Sequence, residues 1–245
     1  MALSAASESG RNVSLVMLTL NEEGAIKKVV EDVRRELPEA EIVVVDSSTD
    51  KTPEIAKELG CLLVRQFPPA GYGNAMHAGF QAATRDYVVT IDCDDTYPIE
   101  DIKKMLAYME QGYDLVSASR LPNKPDAMRW PNYVANVGFT WLAFLWCGVR
   151  STDVHTGMRA YRKTMLNEFP YDPVGMALPV ELQVGPASLG YKCVEMFIEY
   201  RPRIGESKLV PFAGTVWTLK RLWNWRMFFN PHRQKVARQL KTQKA

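Results

Sequence analysis

Short apolar runs alternate with helical patterns along the first 92 residues of the chain. Runs of branched aliphatic residues without polar alternation predict strands that are buried on both faces. Between them, apolar residues recur at the spacing of an amphipathic helix. The predicted strands are residues 13–20, 41–45, 61–65 and 87–91, and the predicted helices are residues 22–37, 52–59 and 73–84. This alternation predicts an α/β fold with a mostly parallel sheet flanked by helices.

Polar residues cluster where three of the predicted strands end. Asn21 and Glu22 follow the first strand, residues 46–50 follow the second, and residues 92–95 follow the fourth. Parallel sheets of this kind bind ligands in the crevice at the carboxyl ends of their strands. The clusters therefore predict one binding site at that edge of the sheet.

The last of these clusters brings the carboxylates of Asp92, Asp94 and Asp95 together within four residues. Like charges so close together cannot all stay ionised without a cation, and oxygen ligands suit Mg²⁺ or Mn²⁺. The cluster therefore favours a divalent metal site that also holds substrate phosphates. The alternative is an acidic cap for a helix that begins near Pro98.

The middle cluster has two interpretations. Residues 46–52 are typical of a loop with a helix cap, or of a nucleotide pocket in which Asp46 accepts hydrogen bonds from a base. The glycine-rich run 71–75 resembles a phosphate-binding loop, although it matches neither the P-loop nor the dinucleotide fingerprint. Taken alone, these patterns leave both interpretations open.

Composition and charge narrow the class of protein. Of 245 residues, 47% are hydrophobic and 24% are charged, which excludes a disordered chain or a disulfide scaffold. The net charge of +2 argues against a nucleic-acid binder. The charge is unevenly divided, since residues 1–200 carry −8 and residues 201–245 carry +10. An acidic body with a basic tail predicts contact with an anionic surface.

Two aromatic-rich segments bear on membrane contact. The longest apolar stretch, residues 134–149, is shorter than the roughly 20 residues of a bilayer span, and it predicts either a buried core helix or an interfacial helix. Residues 212–229 combine tryptophan with lysine and arginine, which favours a helix at a membrane interface. The alternative is a helix docked on the protein's own core or on a partner chain. The residues predicted to share one face of it are Val216, Leu219, Leu222, Trp223 and Met227.

The chain divides into three parts. Residues 1–12 are small and polar, lack the apolar region of a signal peptide and are expected to be flexible. Residues 13–210 are predicted to form the catalytic domain, and residues 211–245 a basic amphipathic extension. The four cysteines include no C-x-x-C pair, so a reducing cytoplasmic compartment is expected.

Eight motifs occur in a fixed order along residues 13–210. They are LTLNEEGAI, VVVDSSTDKT, GYGNAMHAG, IDCDDTYP, ASR, DVHTGMRAYR, VEL and RIGESKL. This set resembles the family-2 glycosyltransferases, which have the Rossmann-like glycosyltransferase-A fold. More narrowly, it resembles dolichol-phosphate mannosyltransferases and their bacterial polyprenyl-phosphate relatives.

The resemblance implies an inverting transfer of a hexose from GDP-mannose or a UDP-sugar to a polyprenyl phosphate. It also implies Mg²⁺ or Mn²⁺ at Asp92, Asp94 and Thr96, although relatives often carry glutamine where this chain has threonine. The residues that it implies at the donor are Leu18, Asn21, Glu22, Asp46, Ser48, Asp50, Gly73, Asn74, Asp92 and Cys93.

The same resemblance implies the residues that serve the transfer and the acceptor. Those serving the transfer are Asp94, Arg120, Arg129, Arg203 and Lys208, with Arg201, Ser207, Glu181 and Asp153 as further candidates near the acceptor. A phosphate acceptor needs arginines to align it but no general base, because it is largely ionised near neutral pH. A hydroxyl acceptor would need a base, for which Asp153 or Glu181 are the candidates. A third hypothesis is an inactive subunit that binds a nucleotide sugar and supports a partner.

The expected ligands are therefore a nucleotide-sugar donor and a lipid-phosphate acceptor, with no nucleic acid. The protein is expected to lie peripherally on the cytoplasmic face of a membrane, with a partner subunit or a second copy left open. His155, between Asp153 and Gly157, is expected to be structural rather than catalytic.

Overall fold

The computed structural model describes residues 3–121, 124–205 and 211–228, and it describes side chains in the last helix from residue 214 to residue 227. The strands are β1 (Val13–Thr19), β2 (Glu41–Asp46), β3 (Leu62–Arg65), β4 (Tyr87–Asp92), β5 (Leu115–Ser119), β6 (Arg159–Arg162) and β7 (Cys193–Phe197). The helices are α1 (Ala5–Ser9), α2 (Ile26–Glu36), α3 (Thr52–Glu58), α4 (Tyr72–Ala82), α5 (Ile102–Glu110), α6 (Trp130–Cys147), α7 (Lys163–Glu168), α8 (Leu178–Leu189) and α9 (Pro211–Phe228).

The strands form one sheet in the order β3-β2-β1-β4-β6-β5-β7. The first four strands run parallel to one another, β6 runs antiparallel to both β4 and β5, and β7 is parallel to β5. The mostly parallel sheet flanked by helices is therefore confirmed. The strands β5, β6 and β7 extend it beyond the part that the apolar pattern predicted.

Helices cover both faces because consecutive residues of the central strands face opposite sides. Leu15 and Met17 of β1 lie in the apolar cluster that includes α2 and α5. Val16 lies in the other cluster, which includes α4 and α8. All three side chains are at most 1% exposed, which explains why the strand shows no polar alternation.

A glycine lets α4 approach the sheet closely. A methyl group on Gly79 would lie 2.4 Å from Val16 Cγ1 and 3.2 Å from Val45 Cγ2. Any larger side chain would push α4 outward. Glycine at this position therefore fixes the depth of α4 and with it the position of the glycine-rich turn that begins the helix.

The N-terminal segment contains the helix α1 rather than irregular chain alone. The Ser4 amide donates to Glu110 Oε2 on α5 at 3.1 Å, and its hydroxyl accepts from the Ser7 amide. Ser7 is fully buried. The polar groups of this segment thus find partners within it and on α5, while the flexibility expected from composition stays a prediction.

The longest apolar stretch is not a buried core helix. It forms α6, in which only Ala143 and Cys147 are buried. Trp141 and Leu145 are 61% and 64% exposed. The prediction of a buried core helix is therefore wrong. An apolar run predicts that a helix contacts an apolar environment, but it does not distinguish the protein core from another apolar surface.

Helix α9 docks on the protein's own core and also keeps an exposed apolar side. Leu222 and Trp225 are buried, whereas Trp223 is 49% exposed and Met227 is 52% exposed. The single face predicted from the sequence is therefore split between core and solvent. With α6, this helix forms what we call the α6–α9 surface. Its exposed apolar residues are Trp130, Val134, Trp141, Phe144, Leu145, Val216, Trp223 and Met227.

Candidate active site

The polar clusters that follow β1, β2 and β4 meet at the carboxyl edge of the sheet. Since β1 lies between β2 and β4, Asn21 and Glu22 lie between the other two clusters. Asn21 has a left-handed backbone, with φ of 56°, and its Oδ1 accepts from the Thr49 amide at 2.8 Å. Its own amide donates to Ser48 Oγ at 2.7 Å. These bonds join the first two loops into one wall of the site.

Asp50 stabilises the same wall through hydrogen bonds. Its carboxylate accepts hydrogen bonds from Thr52 Oγ1 at 2.6 Å and from the Glu23 amide at 3.2 Å. Thr52 Oγ1 in turn accepts from the Glu22 amide at 2.9 Å. The structure thus uses Ser48 and Asp50 to position the loops, while direct contact of either residue with a donor stays a prediction.

Asp46 is fully buried at the end of β2, where it is the centre of a polar cluster. It accepts from Thr19 Oγ1 at 2.7 Å and from Ser48 Oγ at 2.6 Å, and it forms an ion pair with Arg65. Arg65 is 39% exposed. A base bound at Asp46 would therefore also meet Arg65, which sequence reasoning missed. The strand register pairs these two residues across β2 and β3.

In the acidic turn after β4, the side chains point to different surroundings. Asp94 is 4% exposed, and its Oδ1 accepts from Thr96 Oγ1 at 2.6 Å and from the Thr96 amide at 3.2 Å. Thr96 thereby orients Asp94, and its role as a metal ligand stays a prediction. Asp95, with φ of 64°, contacts Lys28 on α2 at 2.7 Å, so it pairs outside the site. The Cys93 side chain lies in the core cluster with α2 and α5, which leaves only its backbone for a ligand.

Asp92 lies against the backbone of the loop that precedes β6. A methyl group on Gly157 would lie 2.8 Å from Asp92 Oδ2, and the Gly157 amide donates to the hydroxyl of Tyr97 at 2.7 Å. Burial, and then the charge of Asp94, raise the pKa of Asp92 to about 6. A carboxylate whose ionised form is disfavoured by burial and by a neighbouring carboxylate fits a bound cation.

The donor set fits a metal held partly by its substrate. Within the described residues, no group of three or more histidine, cysteine, aspartate or glutamate side chains converges. Mg²⁺ is commonly held by one or two carboxylates together with substrate phosphates and water. Asp92 and Asp94 match that arrangement.

Arg203 faces the acidic turn. Its Nη2 donates to Glu22 Oε1 at 2.9 Å, and its Nη1 lies 3.1 Å from Asp94 Oδ2. Arg201 instead pairs with Glu100 on the turn before α5. Of the two arginines that the motif left as alternatives, Arg203 is the one that reaches the carboxylates. Ser207 and Lys208 lie outside the described residues.

Arg120 is held by a buried carboxylate. Its Nε and Nη2 donate to Asp153 at 2.6 and 3.0 Å, and its guanidinium lies 5.4 Å from the centre of the Tyr200 ring. Burial alone would raise the pKa of Asp153, but Arg120 holds it below its ordinary value. Asp153 is therefore an ionised partner of arginine. Arg129 lies exposed at the start of α6.

Glu181 also has an arginine partner. Arg221 of α9 contacts Glu181 at 2.6 Å and Asp172 at 3.3 Å. Burial raises the pKa of Glu181 to about 7, although Arg221 acts in the opposite direction. Because the side chain is 1% exposed, it is poorly placed to reach an acceptor. Its observed contact ties α8 to α9.

The glycine-rich turn at the start of α4 packs against another loop. The Gly73 amide donates to the Gly175 carbonyl at 3.1 Å, and a methyl group on Gly73 would lie 2.1 Å from the Pro173 carbonyl oxygen. Asn74 donates to the Ala70 carbonyl at 2.8 Å. The Gly73 amide thus donates its hydrogen bond within the protein, so this residue gives no support to the interpretation of the turn as a phosphate-binding loop.

His155 belongs to the loop that contains Asp153, and its amide donates to Asp153 Oδ1 at 3.1 Å. Its Nε2 and the hydroxyl of Thr218 on α9 are 2.9 Å apart, and burial lowers its pKa to about 4. The imidazole is therefore neutral near pH 7. This arrangement fits the structural role expected from the sequence.

Comparisons with known proteins identify the family. The model described as Glycosyl transferase family 2 matches residues 14–169. A dolichyl-phosphate hexose transferase of Haloferax volcanii is 43% identical over 204 residues, covering 83% of this chain and 89% of that protein. An undecaprenyl-phosphate 4-deoxy-4-formamido-L-arabinose transferase of Pseudomonas paraeruginosa is 32% identical over 166 residues, covering 63% of this chain and 48% of that protein.

Solved structures identify the fold. The glucosyl-3-phosphoglycerate synthase of Mycobacterium tuberculosis, crystallised with Mn²⁺, UDP and glucosyl-3-phosphoglycerate, matches with a TM-score of 0.72 at 21% identity. The match covers 90% of this chain and 82% of that one. The glycosyltransferase-A fold expected from the motifs is therefore confirmed. Together with the family model and the close archaeal relative, these findings show that the chain is an enzyme and belongs to glycosyltransferase family 2.

Proposed function

We propose that the protein transfers a hexose from a nucleotide-diphosphate sugar to the phosphate of a polyprenyl lipid, with inversion at the sugar. The donor's diphosphate binds at the acidic turn with Mg²⁺ or Mn²⁺ held by Asp92 and Asp94. Its nucleoside lies against the wall formed by Asn21, Glu22 and Asp46. The names of the archaeal and bacterial relatives, both transferases that use a polyprenyl phosphate, support this substrate class.

The observation that carries the choice of acceptor is the pairing of both candidate bases. Asp153 is bound to Arg120, and Glu181 is bound to Arg221. A hydroxyl acceptor would need one of these carboxylates to take its proton. A phosphate acceptor attacks with an oxygen that is already ionised, and it requires only cations that align it. The arrangement therefore favours phosphate.

The metal, when bound, stabilises the negative charge that develops on the departing nucleotide diphosphate. The chain's own residues do the positioning. Thr96 orients Asp94, and Gly157 leaves the space beside Asp92 that the methyl group of any other residue would enter. Arg203 places a positive charge beside Glu22 and Asp94, where the diphosphate is proposed to lie.

We further propose that the α6–α9 surface meets the membrane that contains the lipid acceptor. Two lysines lie beside tryptophans of these helices: Lys220 is 5.1 Å from the centre of the Trp217 ring, and Lys124 is 5.6 Å from the centre of the Trp130 ring. Tryptophan with lysine and arginine is typical of helices that lie in the interface. None of the described helices is long and apolar enough to cross a bilayer.

Transfer to extractable lipid tests the proposed function. Purified protein would be given labelled nucleotide sugars, a polyprenyl phosphate and Mg²⁺ or Mn²⁺, and the lipid phase would be counted. We expect Asp94→Asn to lower the rate by at least about 10²–10³-fold, the loss typical of removing one charge-stabilising group. Asp95→Asn is the matched control, because Asp95 pairs with Lys28 outside the site.

Two results would overturn the proposal. Product that forms only with a water-soluble hydroxyl acceptor would indicate a different acceptor class. Normal function of Asp94→Asn in its host would indicate a nucleotide-sugar-binding subunit without catalysis.

A further inference from the structure

Arg203 lies where two acidic loops converge. Its two terminal nitrogens contact different carboxylates, Glu22 Oε1 at 2.9 Å and Asp94 Oδ2 at 3.1 Å. Its Nε is buried and has no hydrogen-bond partner among the described residues. The guanidinium is therefore held mainly by charge between a residue of the first loop and one of the acidic turn.

The backbone around Arg203 is fastened to the same turn. The Ile204 amide donates to the Asp94 carbonyl at 2.9 Å, and the Arg201 amide donates to the Thr96 carbonyl at 2.9 Å. These bonds fix the arginine at the carboxylates without using the side chain. The side chain can therefore change partners while its backbone stays in place.

The contacts of Asp94 leave one oxygen for a cation. Its Oδ1 already accepts two hydrogen bonds from Thr96, whereas its Oδ2 faces Arg203. A metal ion at Asp92 and Asp94 takes oxygen ligands and displaces positive groups from them. Arg203 and the metal consequently require the same carboxylate oxygen.

We propose that Arg203 is an exchangeable counterion: it neutralises Asp94 and Glu22 in the empty site and releases Asp94 when the metal and donor bind. The released guanidinium then meets the added negative charge of the donor's diphosphate. This inference rests on the proposed function, and it makes Arg203 a competitor of the free metal ion as well as a positioning residue for the donor.

Binding of Mn²⁺ without nucleotide tests the inference, measured by electron paramagnetic resonance of the free ion. We expect Arg203→Gln to bind Mn²⁺ about tenfold or more tightly than wild type, since a charged hydrogen bond to the ligand oxygen has been removed. Lys28→Ala is the control: it removes a cation from Asp95 of the same turn, and we expect the Mn²⁺ affinity to change far less.

Thermal unfolding provides a second measurement. Arg203→Gln removes the positive charge that contacts Glu22 and Asp94, so we expect a lower Tm than wild type without metal and a larger rise in Tm when Mn²⁺ is added. Equal or weaker Mn²⁺ binding by Arg203→Gln would overturn the inference and leave the proposed function standing. If neither protein binds Mn²⁺ without nucleotide, the inference is likewise overturned. The role of the metal in the proposed function falls only if Mn²⁺ also fails to bind when a nucleoside diphosphate is present.

Discussion

The charged residues of the site are arranged as pairs, and each pair limits what its members can do. Asp153 is paired with Arg120, and the nearly inaccessible Glu181 is paired with Arg221, so both candidate bases are engaged inside the protein. Asp92 differs, because its neighbour Asp94 carries the same charge and its pKa is raised. Among these carboxylates, those of the acidic turn are thus the ones that most need a bound cation.

Gly157 sets the position of Asp92. The methyl group of alanine would lie 2.8 Å from Asp92 Oδ2 and 3.0 Å from Asp92 Oδ1, so either the carboxylate or the glycine loop would have to shift. We expect Gly157→Ala to lower kcat/KM for transfer by about 10²-fold, because small displacements of a positioned group cost that much. Gly138→Ala, on α6 with no atom within 4 Å of the added methyl, is the control. Unchanged kcat/KM in Gly157→Ala would show that Asp92 is not part of the site.

Helix α9, one of the two helices of the α6–α9 surface, contacts two loops that flank the site. His155, whose Nε2 lies 2.9 Å from Thr218 Oγ1, belongs to the loop that contains Asp153. The Trp217 ring packs on Gly175, whose carbonyl accepts from the Gly73 amide. A helix with an exposed apolar side, α9, is thus in direct contact with loops that flank the site. The proposed membrane contact would therefore act on the same helix that supports those loops.

Two tryptophans on α9 separate membrane contact from stability. Trp225 is 2% exposed and donates to Ser188 at 3.0 Å, whereas Trp223 is 49% exposed. We expect Trp225→Ala to lower the free energy of unfolding by about 3–5 kcal/mol, the cost of emptying a core site of this size. We expect Trp223→Ala to weaken binding to anionic lipid vesicles while changing the free energy of unfolding by less than about 1 kcal/mol.

Sedimentation with vesicles and chemical unfolding provide the two measurements. Vesicle binding that is unchanged in Trp223→Ala, and also in a Trp141→Ala variant of α6, would contradict the membrane contact. Such a result would leave a partner chain as the occupant of the α6–α9 surface.

Across the whole molecule, local patterns predicted what depends on neighbours in sequence. The strands β1, β2 and β4 were predictable because residues buried on both faces give unbroken apolar runs, and the strand-end clusters followed from the parallel topology. Pairings between distant residues were not predictable. Arg203 and Glu22 are 181 positions apart, and only the folded chain brings them together. The burial of α9 on one side also depends on tertiary packing, since its pattern allowed either side to face the core.

Two buried groups next to α9, Glu181 and His155, change the free energy of unfolding of the whole molecule in opposite directions as the pH rises. Burial raises the pKa of Glu181 from 4.5 to about 7, so the native state keeps a proton that the unfolded chain has lost. Its contribution makes the free energy of unfolding fall as the pH rises from about 4.5 to 7. Burial lowers the pKa of His155 from 6.5 to about 4, and this makes the free energy of unfolding rise between about pH 4 and 6.5.

Because these contributions oppose each other in the wild type, removing one should expose the other. We expect the free energy of unfolding of Glu181→Gln to rise more steeply than that of wild type between about pH 4.5 and 6.5, and that of His155→Gln to rise less or to fall. Urea unfolding at successive pH values measures these slopes, and comparing slopes rather than absolute values removes the constant cost of each substitution. Parallel curves for Glu181→Gln and wild type would mean that Arg221 keeps Glu181 ionised throughout, and that the ion pair outweighs burial at the junction of α8 and α9.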